Sequence, residues 1–336
     1  MTELITTPLF NEDGDDSPEM QKLINGCPTG ISNLDENAFK WSNGLYRIMT
    51  GNFWIPEKVS MADDKVTINE LTDDEDEAVR DTLSFLIFLD SYQCNNLPNL
   101  HKYITAPNVA NLIIIQQYQE VIHSQSYQYM LDALYPMMTR QTIYNKWRTN
   151  PALLKRVKYV ADIGQAFIDN PSEEEFKKVI AINFMLESIY FYQGFMFFDQ
   201  LASRNKLIQS DKIIDYIRND EMTHIGIFVN LINELFTEED KNGMLRDMMR
   251  DACEQEIEWA NVVYGNKILG MSEKSSEQYI HYLANDRLSL LSMEPLYPEV
   301  INPYAHLEGT KKENFFEVSA VTSYDRSESV KGWDDF

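Results

Sequence analysis

The sequence is poor in cysteine and in positive charge, and each shortage excludes a class of protein. Its three cysteines lie far apart with no Cys-x-x-Cys pair, which predicts reduced thiols in a cytoplasmic protein and no disulfide framework. Lys and Arg number 29 against 53 Asp and Glu, so the net charge is −24. Because such a surface repels phosphate backbones, we expect no nucleic-acid partner. No apolar run is long enough to cross a bilayer, so we expect no membrane association.

Glycine and proline are also scarce, at 13 and 12 of 336 residues, which suits long helices joined by few turns. Strand-like alternation of any length is missing, so the sequence predicts an all-α protein. Charged residues and prolines at the start predict a flexible N-terminal segment over 1–30. A helical domain should follow over 31–301. Residues 302–336 have no helical period and predict a flexible C-terminal tail.

Capping boxes and apolar periodicity define the expected helices from about residue 70 onward. Thr72 with Glu75 opens the first helix, and Pro98 and Pro107 are expected to close a loop after it. Ser275 with Gln278 is expected to cap the last helix. The predicted helices cover about 72–96, 108–134, 151–169, 172–205, 211–236, 238–266 and 275–292.

Four of these helices each place one acidic residue inside an apolar segment. The four residues are Asp90, Glu120, Glu187 and Glu221. A buried carboxylate is costly unless it is paired or bound to a metal ion. Two of the four are followed by histidine at the third position, His123 after Glu120 and His224 after Glu221. Because residues three apart share a helix face, the carboxylate and the imidazole of each pair can reach one ion.

A single Glu-x-x-His is most often an ordinary pair on a helix surface. Two pairs on separate apolar helices, with two further carboxylates on two more, match the ligand set of ferritin-like di-iron and di-manganese bundles. Oxygen and imidazole ligands suit iron or manganese, and two divalent ions would neutralise the four carboxylates. The sequence therefore predicts a ferritin-like helical bundle that holds a dinuclear iron or manganese site, with two ions per chain.

Tyr127 lies four residues after His123 and hence on the same face, one turn along. A metal cluster beside a phenol can oxidise it after oxygen activation, and the resulting radical survives only in a dry, apolar pocket. Residues at helical spacing from the acidic positions could form the walls of this pocket, and as ordinary core residues they would look the same: Phe191, Phe195, Ile214 and Ile217.

Taken together, the motifs resemble the small subunit of class I ribonucleotide reductase over roughly residues 30–336. The resemblance implies a tyrosyl radical at Tyr127, whose oxidising equivalent passes to a cysteine of a separate large subunit. That subunit then reduces ribonucleotides to deoxyribonucleotides. The matching segments are 53–57 (Phe-Trp-Ile-Pro-Glu), 89–91 (Leu-Asp-Ser), 120–127 (Glu-Val-Ile-His-Ser-Gln-Ser-Tyr), 187–191 (Glu-Ser-Ile-Tyr-Phe) and 220–224 (Asp-Glu-Met-Thr-His).

The same resemblance implies a route for the oxidising equivalent and a set of partners. The route would run through His123, Asp220 and Trp54, and then through Tyr324 in the tail. The tail tip, 333–336, would dock the large subunit, and the chain would pair with a second copy of itself. The Phe-Trp-Ile-Pro-Glu-Lys segment favours manganese-using relatives, some of which need a flavodoxin-like activator protein, and the choice between iron and manganese stays open.

Three other interpretations share parts of this pattern. Some subclasses of the family keep the oxidant on the metal ions and form no tyrosyl radical. Another ferritin-like oxidase would share the metal ligands, but it would not need Trp54, Tyr127, Tyr324 and an anchored tail together. A storage or binding role is the third, although ferritin chains are shorter and have no polar tail that ends in aromatic residues.

Overall fold

A computed structural model of the chain describes residues 3–33 and 35–308. Tyr324 and the tail tip at 333–336 lie outside the described residues, as does most of the predicted tail.

Helices joined by short connections make up the fold. Only isolated bridges, and no strands, occur in the described part of the chain, so the all-α prediction is confirmed. In chain order the α-helices are α1 Trp41–Gly51, α2 Asp64–Thr67, α3 Asp73–His101, α4 Pro107–Leu134, α5 Met137–Tyr144, α6 Pro151–Asp169, α7 Glu173–Met185, α8 Tyr192–Ala202, α9 Ile208–Leu235, α10 Glu238–Asp240, α11 Arg246–Val263, α12 Glu273–Leu290 and α13 Ala305–Glu308. Shorter 3-10 turns are formed by Pro56–Lys58, Ile68–Glu70 and Lys146–Arg148.

The predicted helix starts are set by local side-chain chemistry. The Thr72 hydroxyl accepts from the Glu75 backbone N–H at 3.2 Å, and the Glu75 carboxylate accepts from the Thr72 N–H at 3.0 Å. This reciprocal capping box satisfies two amide groups that the first turn of α3 leaves without partners. Helix α6 begins at Pro151, whose missing N–H costs nothing at the first helical position.

Pro98 does not end α3, and the predicted loop at this residue is wrong. The helix continues through it to His101. A proline in a helix removes the hydrogen bond to the carbonyl four residues earlier, which here belongs to Cys94. The side chain of Gln117 on α4 donates to that carbonyl at 3.2 Å and replaces the missing bond. A partner from the neighbouring helix therefore lets α3 run one turn longer than its own sequence indicates.

Other boundaries differ because features outside the helical pattern decide them. The N-cap of α12 is Ser272, three residues before the predicted Ser275, and Ser275 completes its capping box. The predicted helix over 172–205 is interrupted by a π-helical turn at Leu186–Tyr190, and the one over 238–266 by another at Lys241–Leu245. Helices α1, α2, α5 and α13 were not predicted at all, and α13 lies in the stretch after residue 302 for which no helix was expected.

The centre of the fold is formed by α3, α4, the α7–α8 pair and α9. Helix α3 packs along α4, and α9 packs against α7, α8 and the π-helical turn between them. The side chains between these helices are almost all buried. No described helix has both the length and the apolar character needed to cross a membrane.

Both ends of the described chain pack against helices of the fold. Residues 3–30 form no helix, yet Leu23 and Ile24 are buried and the Thr7 N–H donates to the Lys102 carbonyl at 2.9 Å. At the other end, the ring of Tyr304 lies 5.2 Å from that of Tyr279 and is buried. The flexibility expected for 1–30 and 302–336 stays a prediction.

Candidate metal centre

Six side chains predicted as metal ligands meet at the centre of the bundle, and all six are fully buried. They arrive from four separate elements. Helix α3 carries Asp90, α4 carries Glu120 and His123, the π-helical turn carries Glu187, and α9 carries Glu221 and His224.

The ligand atoms form two overlapping groups, and within each group all lie within 4.8 Å of one another. The first group is Asp90, Glu120, His123 and Glu221, and the second is Glu120, Glu187, Glu221 and His224. Glu120 and Glu221 belong to both groups. Two neighbouring cation positions that share two carboxylates follow from this arrangement.

Each histidine turns the same ring atom toward the carboxylates. His123 Nδ1 lies 3.3 Å from Glu120 Oε2 and 3.1 Å from Glu221 Oε1. His224 Nδ1 lies 2.8 Å from Glu221 Oε2 and 3.5 Å from Glu187 Oε2. Both rings therefore offer Nδ1 to the centre, and both keep Nε2 for contacts outside it.

The cluster carries an excess of negative charge in a place that water does not reach. Burial, and then the neighbouring carboxylates, raise the pKa of Asp90 and of Glu187 well above their usual values. Burial by itself lowers the pKa of His224, but Glu221 and Glu120 raise it well above its usual value. A cation placed among these groups relieves the repulsion between the carboxylates.

The donor set fits a pair of iron or manganese ions. Asp90 has both carboxylate oxygens buried, and neither accepts a hydrogen bond of normal geometry from the described residues. Buried carboxylate oxygens nearly always have a partner, and a metal cation is a suitable partner for these two. Four carboxylates and two imidazole nitrogens are the ligands that iron and manganese bind well. The six residues would hold two such ions.

Tyr127 lies at the edge of the first group. Its ring is fully buried, and its hydroxyl approaches the Asp90 carboxylate without forming a hydrogen bond of normal geometry. Burial, and then the charge of Asp90, raise the pKa of this phenol well above its usual value. The four predicted wall residues are all fully buried: Phe191, Phe195, Ile214 and Ile217.

Trp54 and Asp220 lie beside His123, and both are buried. The Trp54 indole N–H donates to Asp220 Oδ2 at 2.8 Å, and His123 Nε2 lies 3.2 Å from the same oxygen. The Trp54 ring also stacks beside His123, with 6.1 Å between ring centroids, and lies 5.3 Å from the ring of Tyr216. The structure thus brings together three residues that are far apart in sequence.

Two buried glutamines near the centre were missed in the sequence. The side-chain amides of Gln93 and Gln116 both donate to Glu187 Oε1, the latter at 2.8 Å. Gln93 lies three residues after Asp90, and Gln116 lies four residues before Glu120. An amide at helical spacing from a buried carboxylate was the available signal, since such a residue shares the inward face.

Comparison with known proteins identifies the family. A family model described as ribonucleotide reductase, small chain, matches residues 32–303. The beta subunit of ribonucleoside-diphosphate reductase from Treponema pallidum (strain Nichols) is 38% identical over an alignment 336 positions long, which covers 96% of this chain and 95% of that protein.

Solved structures give the same result. The ribonucleotide reductase R2 subunit from Clostridium botulinum has a TM-score of 0.89 and 41% identity, covering 93% of this chain and all of that one. The dimanganese(II)-NrdF of Streptococcus sanguinis, at 20% identity, shows the fold alone, with a TM-score of 0.72 over 82% of this chain and 98% of that one.

Helices that aim two Glu-x-x-His pairs and two further carboxylates at one buried point define the ferritin-like class of dinuclear metal proteins. Because the family model matches most of its length, the chain belongs to the ribonucleotide reductase small-chain family. Its place in that enzyme is the class I small subunit, the beta subunit of ribonucleoside-diphosphate reductase.

Replacing Glu187 by alanine should remove at least one of the two ions. The change takes away an anionic ligand of the second group and leaves the remaining ligands undercharged. Metal analysis of gel-filtered protein loaded with iron(II) or manganese(II) measures the occupancy. Glu234→Ala, at an exposed glutamate of α9, is the control and should keep two ions. Two ions per chain in Glu187→Ala would contradict the assignment of this ligand.

Proposed function

We propose that this small subunit generates a stable oxidising equivalent beside its buried centre and passes it to a separate large subunit. The observation that carries the proposal is the chain of contacts from His123 through Asp220 to Trp54, which begins at a metal ligand. Two bound iron or manganese ions would supply, with oxygen or a reduced oxygen species, the one-electron oxidation that creates the equivalent.

Tyr127 is suited to store it. The phenol becomes a neutral radical when it loses one electron and its hydroxyl proton, and Asp90 lies beside that proton. At rest, the raised pKa keeps the phenol protonated. Complete burial among apolar side chains keeps out water and reductants that would quench the radical.

Asp220 has the contacts that a transfer route needs. It accepts from the indole N–H of Trp54 and contacts the imidazole of His123, so it links two groups that can each pass charge. Thr223 also donates to the Asp220 backbone carbonyl at 2.7 Å, which holds this turn of α9 in place. Beyond Trp54, the proposed route continues to Tyr324 in the tail.

Tyr127→Phe should abolish a tyrosyl signal and keep both ions. Phenylalanine fills the same volume but has no phenolic proton to lose. Electron paramagnetic resonance of oxygen-exposed, metal-loaded protein measures the radical, and metal analysis measures the ions. Tyr129→Phe on the same helix removes a hydroxyl that donates to the Val59 carbonyl and is not part of either ligand group, so this control should keep the signal. If Tyr127→Phe retained full oxidising capacity, the oxidant would reside on the metals.

Small subunits of this family work with a large subunit, and we propose that the tail makes the contact here. Trp333 and Phe336 are the large apolar side chains at the tail tip. Ordering a polar tail on a partner costs conformational entropy, which buried aromatic anchors can offset.

Deleting residues 332–336 should weaken binding to the large subunit by about 30-fold or more, the loss typical of an aromatic hot spot. Metal content and radical should stay unchanged.

Tyr324→Phe should bind normally but lose turnover, because its ring cannot form a phenoxyl radical by losing a proton. Binding titrations and nucleotide-reduction assays with the large subunit separate the two effects. Normal turnover in Tyr324→Phe, or nucleotide reduction by the isolated chain, would refute this part of the proposal.

A second copy of the chain is the other proposed partner. Helix α4 exposes an apolar stripe formed by Ile114, Tyr118 and Val121. From 107 to 131 its only acidic residue is Glu120, which points inward. In a chain with a net charge of −24, a face without charge is where two identical copies can meet without repulsion.

Ile114→Asp should convert a dimer to a monomer, since it would place two like charges in a symmetric apolar contact. Sedimentation velocity measures the mass. Ile168→Asp on α6 is a matched control, because Ile114 and Ile168 are 49% and 48% exposed. If Ile114→Asp stays dimeric, or the control also dissociates, this stripe is not the contact.

The remaining proposals concern the cellular compartment and an activator protein. Three free cysteines, with no disulfide among them, fit the reducing cytoplasm expected from the sequence. A flavodoxin-like activator is a partner only where manganese is the native metal.

A further inference from the structure

Gln119 occupies a position between the two histidines that neither the metal ligands nor the transfer route explains. It lies on α4 directly before Glu120 and is buried. Its Nε2 donates to Asp220 Oδ1 at 2.9 Å, and its Oε1 lies 3.0 Å from His224 Nε2. The side chain therefore links a carboxylate outside the ligand set to a histidine inside it.

The chemistry of the three side chains allows only one assignment of donors and acceptors to these two hydrogen bonds. An ionised carboxylate can only accept, so Asp220 requires the amide nitrogen of Gln119 to face it. The amide oxygen of Gln119 must then face His224, and an oxygen can only accept. In the neutral ring, the form that binds a metal ion, His224 Nε2 is therefore the protonated nitrogen, and Nδ1 keeps its lone pair for the centre.

His123 reaches the same state by a shorter path. Its Nε2 lies 3.2 Å from Asp220 Oδ2 and donates to it, which again leaves Nδ1 for the centre. The Asp220 carboxylate thus orients both imidazole rings. It contacts His123 directly and acts on His224 through Gln119. The two Nδ1 atoms belong to different ligand groups, so Asp220 acts on both ion positions.

We propose that Gln119 is a positioning residue that relays the orientation of Asp220 to His224 and so fixes the Nδ1 lone pair toward the second ion. The inference rests on the proposed metal centre. A partner that orients a ligating histidine typically accounts for about 10- to 100-fold in metal affinity. Loss of the relay should therefore weaken the binding of one ion and leave the binding of the other unchanged.

Gln119→Met tests the relay, because methionine has a similar size and cannot donate to Asp220. In manganese(II) titrations of the full-length protein, we expect one of two ions to bind about 10- to 100-fold more weakly. Gln125→Met, at an exposed glutamine of α4, should match the wild type. Circular dichroism establishes that each variant is folded. If the wild type binds no pair of ions, the proposed metal centre fails; if it binds two and Gln119→Met binds them equally well, the relay is overturned.

A second measurement follows the proton itself. In zinc(II)-loaded protein with 15N-labelled histidine, the Nε2–H protons of His123 and His224 should both exchange slowly with water. Gln119→Met should accelerate exchange at His224 and leave His123 unchanged. Equal protection of His224 in the variant would overturn the relay, whatever the titration shows.

Asp220→Asn adds a coupled test. If the amide oxygen of Asn at position 220 still accepts from Trp54 and His123, its amide nitrogen faces Gln119. The Gln119 amide must then turn, so that its oxygen accepts from residue 220 and its nitrogen faces His224. The second ion should then bind more weakly, although residue 220 does not touch His224. In the Gln119→Met background this part of the effect should disappear, because the relay is already broken. Additive losses in the double variant would contradict the relay.

Discussion

Four carboxylates are buried in two overlapping groups at the middle of an apolar helical bundle, and much of the structure serves to make this possible. Their mutual repulsion and loss of hydration are costly, so the site is built for cations. No single helix can present six ligands to one point, because only residues three or four apart share a face. Four separate elements are needed, and the ferritin-like bundle is a packing in which four helices face one centre.

The same demand extends to the residues around the ligands. Gln93 and Gln116 donate to one oxygen of Glu187, which leaves its other oxygen facing His224. The Asp220 carboxylate accepts hydrogen bonds from the side chains of Trp54, Gln119 and His123. Asp220 thus has two tasks in the proposed function, since it orients metal ligands and joins the centre to Trp54. A change at this residue will act on both, which is why binding and radical transfer must be measured separately in any variant.

Irregular helices are part of how the ligands reach their places. A π-helical turn at Leu186–Tyr190 carries Glu187, and such turns are frequent at functional sites because the extra residue redirects a side chain. Behind this turn, the Tyr190 ring lies 5.2 Å from the guanidinium of Arg156, which forms a buried ion pair with Glu256. Removing one partner would leave an uncompensated charge buried beside the turn, which is strongly destabilising.

Periodicity, capping boxes and the two Glu-x-x-His pairs were sufficient to predict the all-α class, the full extent of α6 and the group of six candidate ligands. These features are local: a helix face and an i, i+3 pair are defined by residues a few positions apart. Tertiary contacts decided the rest. Helix α3 passes Pro98 because Gln117 of another helix satisfies the Cys94 carbonyl, and no residue near Pro98 in sequence carries that information. Gln119 likewise reads as an ordinary helical residue, since its role depends on Asp220 and His224, about a hundred positions away. Which carboxylates are shared, which ring nitrogen faces inward and which amides hold them were set only when the four helices packed together.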